Sequence, residues 1–116
     1  MTFERLERIE RGYIETDLLP TEDKKKVLLA LNNLFPDSKF KEDSDRLIGE
    51  VSLSRFKELL EKEKIRTTVE AILDENLAGE KAFLDLNKIA ALAGRVAIDE
   101  SSPIGKIRLQ VPWKKA

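Results

Sequence analysis

The segment PTEDKKKVLLALNNLFP, residues 20–36, constrains the fold most, because it encodes a helix with a single apolar stripe. Thr21 is positioned to cap this helix, and Glu22 and Asp23 fall in its first turn, where the helix dipole favours anions. We therefore predict a helix over Thr21–Phe35. Such a helix needs another layer to bury its one apolar side. The stripe consists of Val27, Leu28, Leu31, Leu34 and Phe35.

A second helical region is predicted from Leu53 to Leu77, as two helices or as one bent helix. Its first part, LSRFKELLEKEKI, has apolar residues on one side. Its second part, TTVEAILDENLAG, offers Thr67 and Glu70 as a capping box and Gly79 as the stop signal.

Short strands are predicted around these helices. The last strand alternates most clearly, with its apolar residues facing inward and Lys106, Arg108 and Gln110 facing outward. The pattern indicates an α+β fold, in which helices pack on one face of an antiparallel-rich sheet. The predicted strands are Tyr13–Leu19, a hairpin of Ser38–Glu42 and Arg46–Ser52, then Lys81–Leu86, Arg95–Asp99 and Lys106–Val111, with a helical turn at Asn87–Gly94.

The chain length of 116 residues suits one domain, which we place at residues 13–112. Residues 1–12 form an amphipathic extension, in which Phe3, Leu6 and Ile9 recur every third position. This extension is expected to dock on the domain or on a second subunit. Residues 113–116 form a short basic tail. No apolar run approaches a membrane span and no secretory signal is found, so we expect a soluble, cytoplasmic protein.

Composition argues against catalysis. The sequence contains no cysteine and no histidine, which removes thiolate and imidazole metal ligands and every histidine-based triad. Residues Ser101–Gly105 precede Lys106, so a phosphate-binding loop is one interpretation. Such a loop needs a first glycine five positions before the Gly-Lys pair and a serine or threonine after the lysine, and this sequence has Glu100 and Ile107 there. A turn between strands is therefore favoured. Glu15 and Asp17 share one face of a strand and are more simply explained as solvated carboxylates. We predict no enzyme activity, no metal and no cofactor.

Local charge is the remaining signal. The net charge is −1, so no overall basic excess points to nucleic acid. From Ser101 onward, however, every ionic side chain is positive, and the only tryptophan, Trp113, lies among them. Such a segment suits contacts with phosphates and a base, although a terminal tryptophan more often packs on its own domain or on a neighbouring subunit.

The motif order resembles that of an archaeal family named uncharacterised protein family 0201, in a group labelled RNA-binding or predicted exosome subunit. The resemblance covers about residues 13–111. It is carried by the P-T-E-D helix start with its F-P end, the L-N-K run followed by Gly94, and the E-S-S-P-I-G-K turn. Two positions depart from the family pattern: Leu19 stands where arginine is usual, and Ile89 stands where glutamine is common.

The resemblance implies a fold similar to the ribosomal protein that contacts 5S ribosomal RNA, and a role in RNA processing or translation. Under this hypothesis the chain is a non-catalytic RNA-binding domain, and Lys88, Arg95, Lys106 and Arg108 contact phosphates. The alternative is a protein-interaction or assembly domain without an RNA ligand, whose partner is a second copy or another protein. A continuous basic face would favour RNA, and an exposed apolar patch beside an unpaired strand edge would favour a protein.

Overall fold

The computed structural model describes residues 6–36, 38–99 and 105–114. Its strands form one sheet of six, in the order β2-β3-β1-β6-β5-β4, and every neighbouring pair is antiparallel. The predicted α+β class and antiparallel sheet are therefore confirmed; the likeness to a ribosomal protein remains an implication of the resemblance. The strands are β1 Arg11–Asp17, β2 Lys41–Asp43, β3 Arg46–Ser52, β4 Leu77–Ala78, β5 Lys81–Asn87 and β6 Lys106–Pro112.

Helices cover one face of this sheet. Strand side chains alternate between the two faces, and the apolar set of each long strand, for example Ile14, Leu84 and Leu109, is almost fully buried beneath the helices. No helix of the described residues lies on the other face, which confirms the predicted one-sided packing. The helices are α1 Lys24–Leu34, α2 Ser54–Glu63, α3 Arg66–Glu75 and α4 Lys88–Leu92.

Helix α1 begins later than predicted. Asp23, not Thr21, caps it, because the Asp23 carboxylate accepts a hydrogen bond from the Lys25 backbone N–H at 2.9 Å. Glu22 lies before the helix, and its carboxylate accepts a hydrogen bond from the backbone N–H of Leu19. The predicted stripe is otherwise correct, except that Leu28 is only partly buried.

The second helical region consists of two helices. Lys64 ends α2 with a left-handed backbone, φ 57°, so the chain turns before α3 starts at Arg66. The predicted capping box is wrong: α3 has no side-chain cap, and Glu70 is buried, where it accepts a hydrogen bond from the Leu6 backbone N–H. Gly79, with φ 67°, lies in the turn between β4 and β5 and does not end the helix.

The predicted strand at Arg95–Asp99 is reduced to one bridge, between Ile98 and Leu86. Gly94 ends α4 with φ 77°, and the Arg95 N–H still bonds to the carbonyl of Ala90, so only the residues after it can pair with β5. The predicted turn at Ser101–Gly105 lies outside the described residues except for Gly105.

Both ends of the described chain pack on the core. Leu6 is 1% exposed and Trp113 is 3% exposed, and the Trp113 indole N–H donates to Asp74 at 3.0 Å. Strand β1 begins at Arg11, two residues before the predicted start. Phe3 lies outside the described residues. Separate roles for residues 1–12 and 113–116 stay predictions, although both segments contribute to the same core.

Candidate nucleic-acid interface

The sheet has a second face, which none of the helices in the described residues covers, and we call it the open face. Strand register aligns its side chains in rows across β2, β3, β1, β6 and β5. Strands β1 and β6 lie at its centre. The open face consists of Lys41 and Asp43 on β2, Arg46, Ile48, Glu50 and Ser52 on β3, Arg11, Tyr13, Glu15 and Asp17 on β1, Lys106, Arg108, Gln110 and Pro112 on β6, and Lys81, Phe83, Asp85 and Asn87 on β5.

An ionic cluster of three side chains lies on this face. Arg108 binds Asp85 with two hydrogen bonds, Nε to Oδ1 at 2.9 Å and an Nη to Oδ2 at 3.1 Å, and Lys106 approaches Oδ2 at 3.0 Å. The three meet because Arg108 lies opposite Asp85 in the β5–β6 register. With two cations on one carboxylate, the cluster keeps a net positive charge.

Asp85 and Arg108 stabilise each other's charged form. Burial disfavours the charged form of Asp85, but hydrogen bonds from Arg108 and Lys106, together with their charges, outweigh it and hold the pKa of Asp85 below its ordinary value. The hydrogen bond to Asp85 raises the pKa of Arg108. Both partners are therefore charged at neutral pH.

Aromatic rings flank the cluster. The Arg108 guanidinium carbon lies 4.2 Å from the centre of the Phe83 ring, a cation–π contact. Tyr13, which is 40% exposed, occupies the same row of the sheet as Phe83. Gln110 stands between them on β6, opposite both residues.

The two other predicted phosphate contacts lie elsewhere. Lys88 is only 7% exposed; its ammonium contacts the Glu22 carboxylate oxygens at 2.8 and 3.0 Å and donates to the carbonyl of Asp17. A phosphate contact there stays a prediction, and it would require these bonds to open. Arg95 follows α4, beside α2, and its well-exposed side chain lies 3.9 Å from Glu63. The structure thus brings Lys106 and Arg108 together but not all four residues.

Most carboxylates of the open face are engaged with neighbouring cations. Glu15 pairs with Arg46, and Glu50 pairs with Arg11. Within residues 6–36, 38–99 and 105–114, no cluster of three acidic side chains is arranged to hold a metal ion. No helix in these ranges combines the length and apolar character that a bilayer crossing needs.

Sequence reasoning missed Tyr13, Phe83, Asp85 and Gln110 as a group. Alternation placed Gln110 on the outer side of β6. It would also have placed the Tyr13 side chain outward, because the neighbouring residue Ile14 is buried on the opposite face of the sheet. The signal that was available is an aromatic residue at an outward strand position. These four residues lie close together only because of the order of the strands in the sheet, and a local sequence pattern does not reveal that order.

Comparison with known proteins agrees with the resemblance. A family model described as RNA binding matches residues 13–111. A UPF0201 protein of Thermococcus kodakarensis is 35% identical, in a match that covers 93% of this chain and 84% of that protein. A UPF0201 protein of Sulfurisphaera tokodaii is 33% identical, with 87% of this chain and 77% of that protein covered.

Solved structures show the same fold. The crystal structure of a UPF0201 protein from Methanococcus jannaschii superposes with a TM-score of 0.78 at 29% identity, covering 90% of this chain and 83% of that one. Another crystal structure, of an uncharacterized UPF0201 protein, gives a TM-score of 0.81 at 29% identity and covers 91% of this chain and 84% of that one. The chain therefore belongs to the archaeal UPF0201 family.

Proposed function

We propose that this chain is a non-catalytic RNA-binding domain and that the open face is its RNA surface. The description of the matching family model supports an RNA ligand. A cytoplasmic role in RNA processing or translation is part of the proposal.

The observation that carries the proposal is the pair of cations on β6. Lys106 and Arg108 stand side by side on a central strand, with 24% and 41% of their side chains exposed. Asp85 occupies some of their N–H groups, and the remaining N–H groups are available to a phosphate oxygen. Because the carboxylate orients both cations, little side-chain freedom is lost when RNA binds.

Lys106→Gln tests the phosphate contact. We expect weaker binding to every RNA sequence, since phosphate contacts carry no sequence information, and a salt dependence that is shallower by about 0.7 in the slope of log affinity against log salt. Lys62→Gln is the matched control, because Lys62 is exposed on α2, on the helical side of the sheet. Fluorescence anisotropy with labelled RNA measures both quantities. The absence of wild-type binding at low salt would refute an RNA function.

The alternative function, an assembly domain, is favoured by an exposed apolar patch on the helical side. Ile89 is 81% exposed and Leu92 is 38% exposed on α4, and both line a shallow groove with Val27 and Ala30 of α1. If this patch binds a second copy, the mass measured by light scattering will exceed that of the monomer and will fall to it in Ile89→Gln. A monomeric wild type at high concentration would exclude self-assembly.

A further inference from the structure

We propose that the open face is a stacking platform for unpaired bases, so that the RNA it takes is single-stranded. One base stacks on the ring of Tyr13, and a second stacks on the guanidinium plane of Arg108. The amide of Gln110 contacts a base edge between them. This inference rests on the proposed RNA function and deepens it by naming the class of RNA and the residues that receive its bases.

The guanidinium group of Arg108 presents a flat surface of fixed orientation. Two hydrogen bonds to Asp85 fix the orientation of its guanidinium, and the Phe83 ring lies against it at 4.2 Å. The side chain is nevertheless 41% exposed, so it remains accessible from the solvent side. Guanidinium planes stack on bases as aromatic rings do. A plane that is already held in place loses little entropy when a base stacks on it.

Tyr13 and Gln110 extend this surface along one row of the sheet. Gln110 pairs with Tyr13 on one side and with Phe83 on the other, which places Tyr13 and Phe83 two strand spacings apart, about 10 Å. The Gln110 amide makes no hydrogen bond to any other residue that the structure describes. Because an amide both donates and accepts, it is suited to a base edge.

The surface beside these residues is concave. A shallow depression is lined by Arg11, Tyr13, Glu50, Lys81, Gln110 and Pro112. The Tyr13 ring and Pro112 suit the flat face of a base, and the Gln110 amide suits its polar edge. The Lys81 ammonium is available to a phosphate of the RNA backbone.

The charge pattern selects single strands over duplexes. Acidic and basic side chains alternate over the open face, and Glu15, Glu50 and Asp85 each pair with a cation. Away from Lys106 and Arg108, such a surface attracts phosphates only weakly. A duplex buries its bases and offers mainly phosphates and 2′-hydroxyls, whereas a single strand offers bases for stacking. Stacking on exposed rings and planes is the interaction that this face supports best.

Three variants separate stacking from charge. Tyr13→Leu removes the exposed ring, and we expect a fivefold to 150-fold loss of affinity, on the order of one base stack. Tyr13→Phe retains the ring and should keep most of the affinity that Tyr13→Leu loses. Arg108→Lys retains the charge but removes the plane, so affinity should fall severalfold while the salt dependence stays the same.

The probe is a labelled single-stranded RNA of twelve mixed nucleotides, compared with its own duplex. We expect tighter binding of the single strand. Tyr13 is the only tyrosine, so its ring signals in an NMR spectrum are assigned without ambiguity and should shift upfield when the RNA binds. Tyr13 is substantially exposed, so Tyr13→Leu should fold even if Arg108→Lys does not, and melting curves establish this.

The outcomes are distinct. Wild-type binding that is equal for single strand and duplex, or that is unchanged in Tyr13→Leu, would overturn the platform and leave the RNA function in place. An absence of binding to either RNA would overturn the RNA function, and the platform with it. A loss of binding in Tyr13→Leu that Tyr13→Phe does not show, together with the upfield shift, would support both.

Discussion

Neutralising Lys88 should destabilise the fold, and it should leave the RNA affinity unchanged unless the bonds of Lys88 to Glu22 open when RNA binds. Lys88 and Glu22 form an ion pair whose side chains are 8% and 22% exposed, and the same ammonium donates to the Asp17 carbonyl. Breaking a fully buried pair costs about 3–5 kcal/mol, because one charge is left buried without a partner. Glu22 keeps a bond from the Leu19 N–H and some contact with water. We therefore expect Lys88→Met to cost about 2–3 kcal/mol.

A double-mutant cycle with Glu22→Gln isolates the pair itself. Residues that share one ionic network typically couple by about 0.5–3 kcal/mol, and the short contacts here place this pair at about 1–2 kcal/mol. Urea denaturation measures the four free energies of unfolding. The single tryptophan, Trp113, is 3% exposed and reports the loss of the core by fluorescence. Lys62→Met, at an exposed position on α2, is the control and should change stability little.

Two results would refute this reasoning. A coupling energy below about 0.5 kcal/mol would show that the pair does not act as a unit. A loss of RNA affinity in folded Lys88→Met as large as that in Lys106→Gln would show that Lys88 leaves Glu22 to contact phosphate. The second result would return Lys88 to the RNA surface that its sequence resemblance implied.

Two further predictions concern the core and the ionic cluster. Leu31 and Leu6 are almost fully buried, so replacing either with alanine should lower the free energy of unfolding by about 2–5 kcal/mol in chemical denaturation. Leu29→Ala, at a position 51% exposed, is the control and should cost little. Equal effects at Leu31 and Leu29 would contradict the assigned stripe. The folded-state pKa of Asp85 lies below its unfolded-state value, so its contribution to stability is present above pH ~4 and is lost as the pH falls through the folded-state pKa. Asp85→Asn should therefore lower stability near neutral pH and flatten its decline at acidic pH, as urea denaturation at several pH values measures, and an identical decline in both proteins would contradict the assignment.

The fold was predictable from local patterns wherever an element has one buried side. Alternation over Lys106–Val111 and the stripe in residues 21–35 are set by burial, and burial is what the apolar pattern encodes. Glu70 was missed because its partner is the backbone of Leu6, 64 positions away, and a local capping rule explained the same residue equally well.

The candidate site was only half predictable. Alternation predicted that Lys106 and Arg108 share the outer face, and they do. Alternation could not predict that β5 pairs with β6, and this pairing brings Asp85 and Phe83 into contact with Arg108. The environment of Lys88 depends on tertiary structure in the same way. Its sequence context suggests an exposed cation, whereas its ion pair with Glu22 forms only in the folded chain.

Strand pairing also resolves the conflict between the net charge of −1 and an RNA ligand. A protein that binds RNA through phosphates alone needs a surplus of cations, and its affinity falls steeply with salt. Under our proposal, a sheet that presents Tyr13 and a fixed Arg108 plane to unpaired bases would draw much of its affinity from stacking, which salt screens little. On such a face the acidic residues have a role of their own, since Asp85 holds the guanidinium over Phe83. An acidic residue is therefore part of the RNA surface that we propose, and overall charge is the wrong quantity by which to judge it.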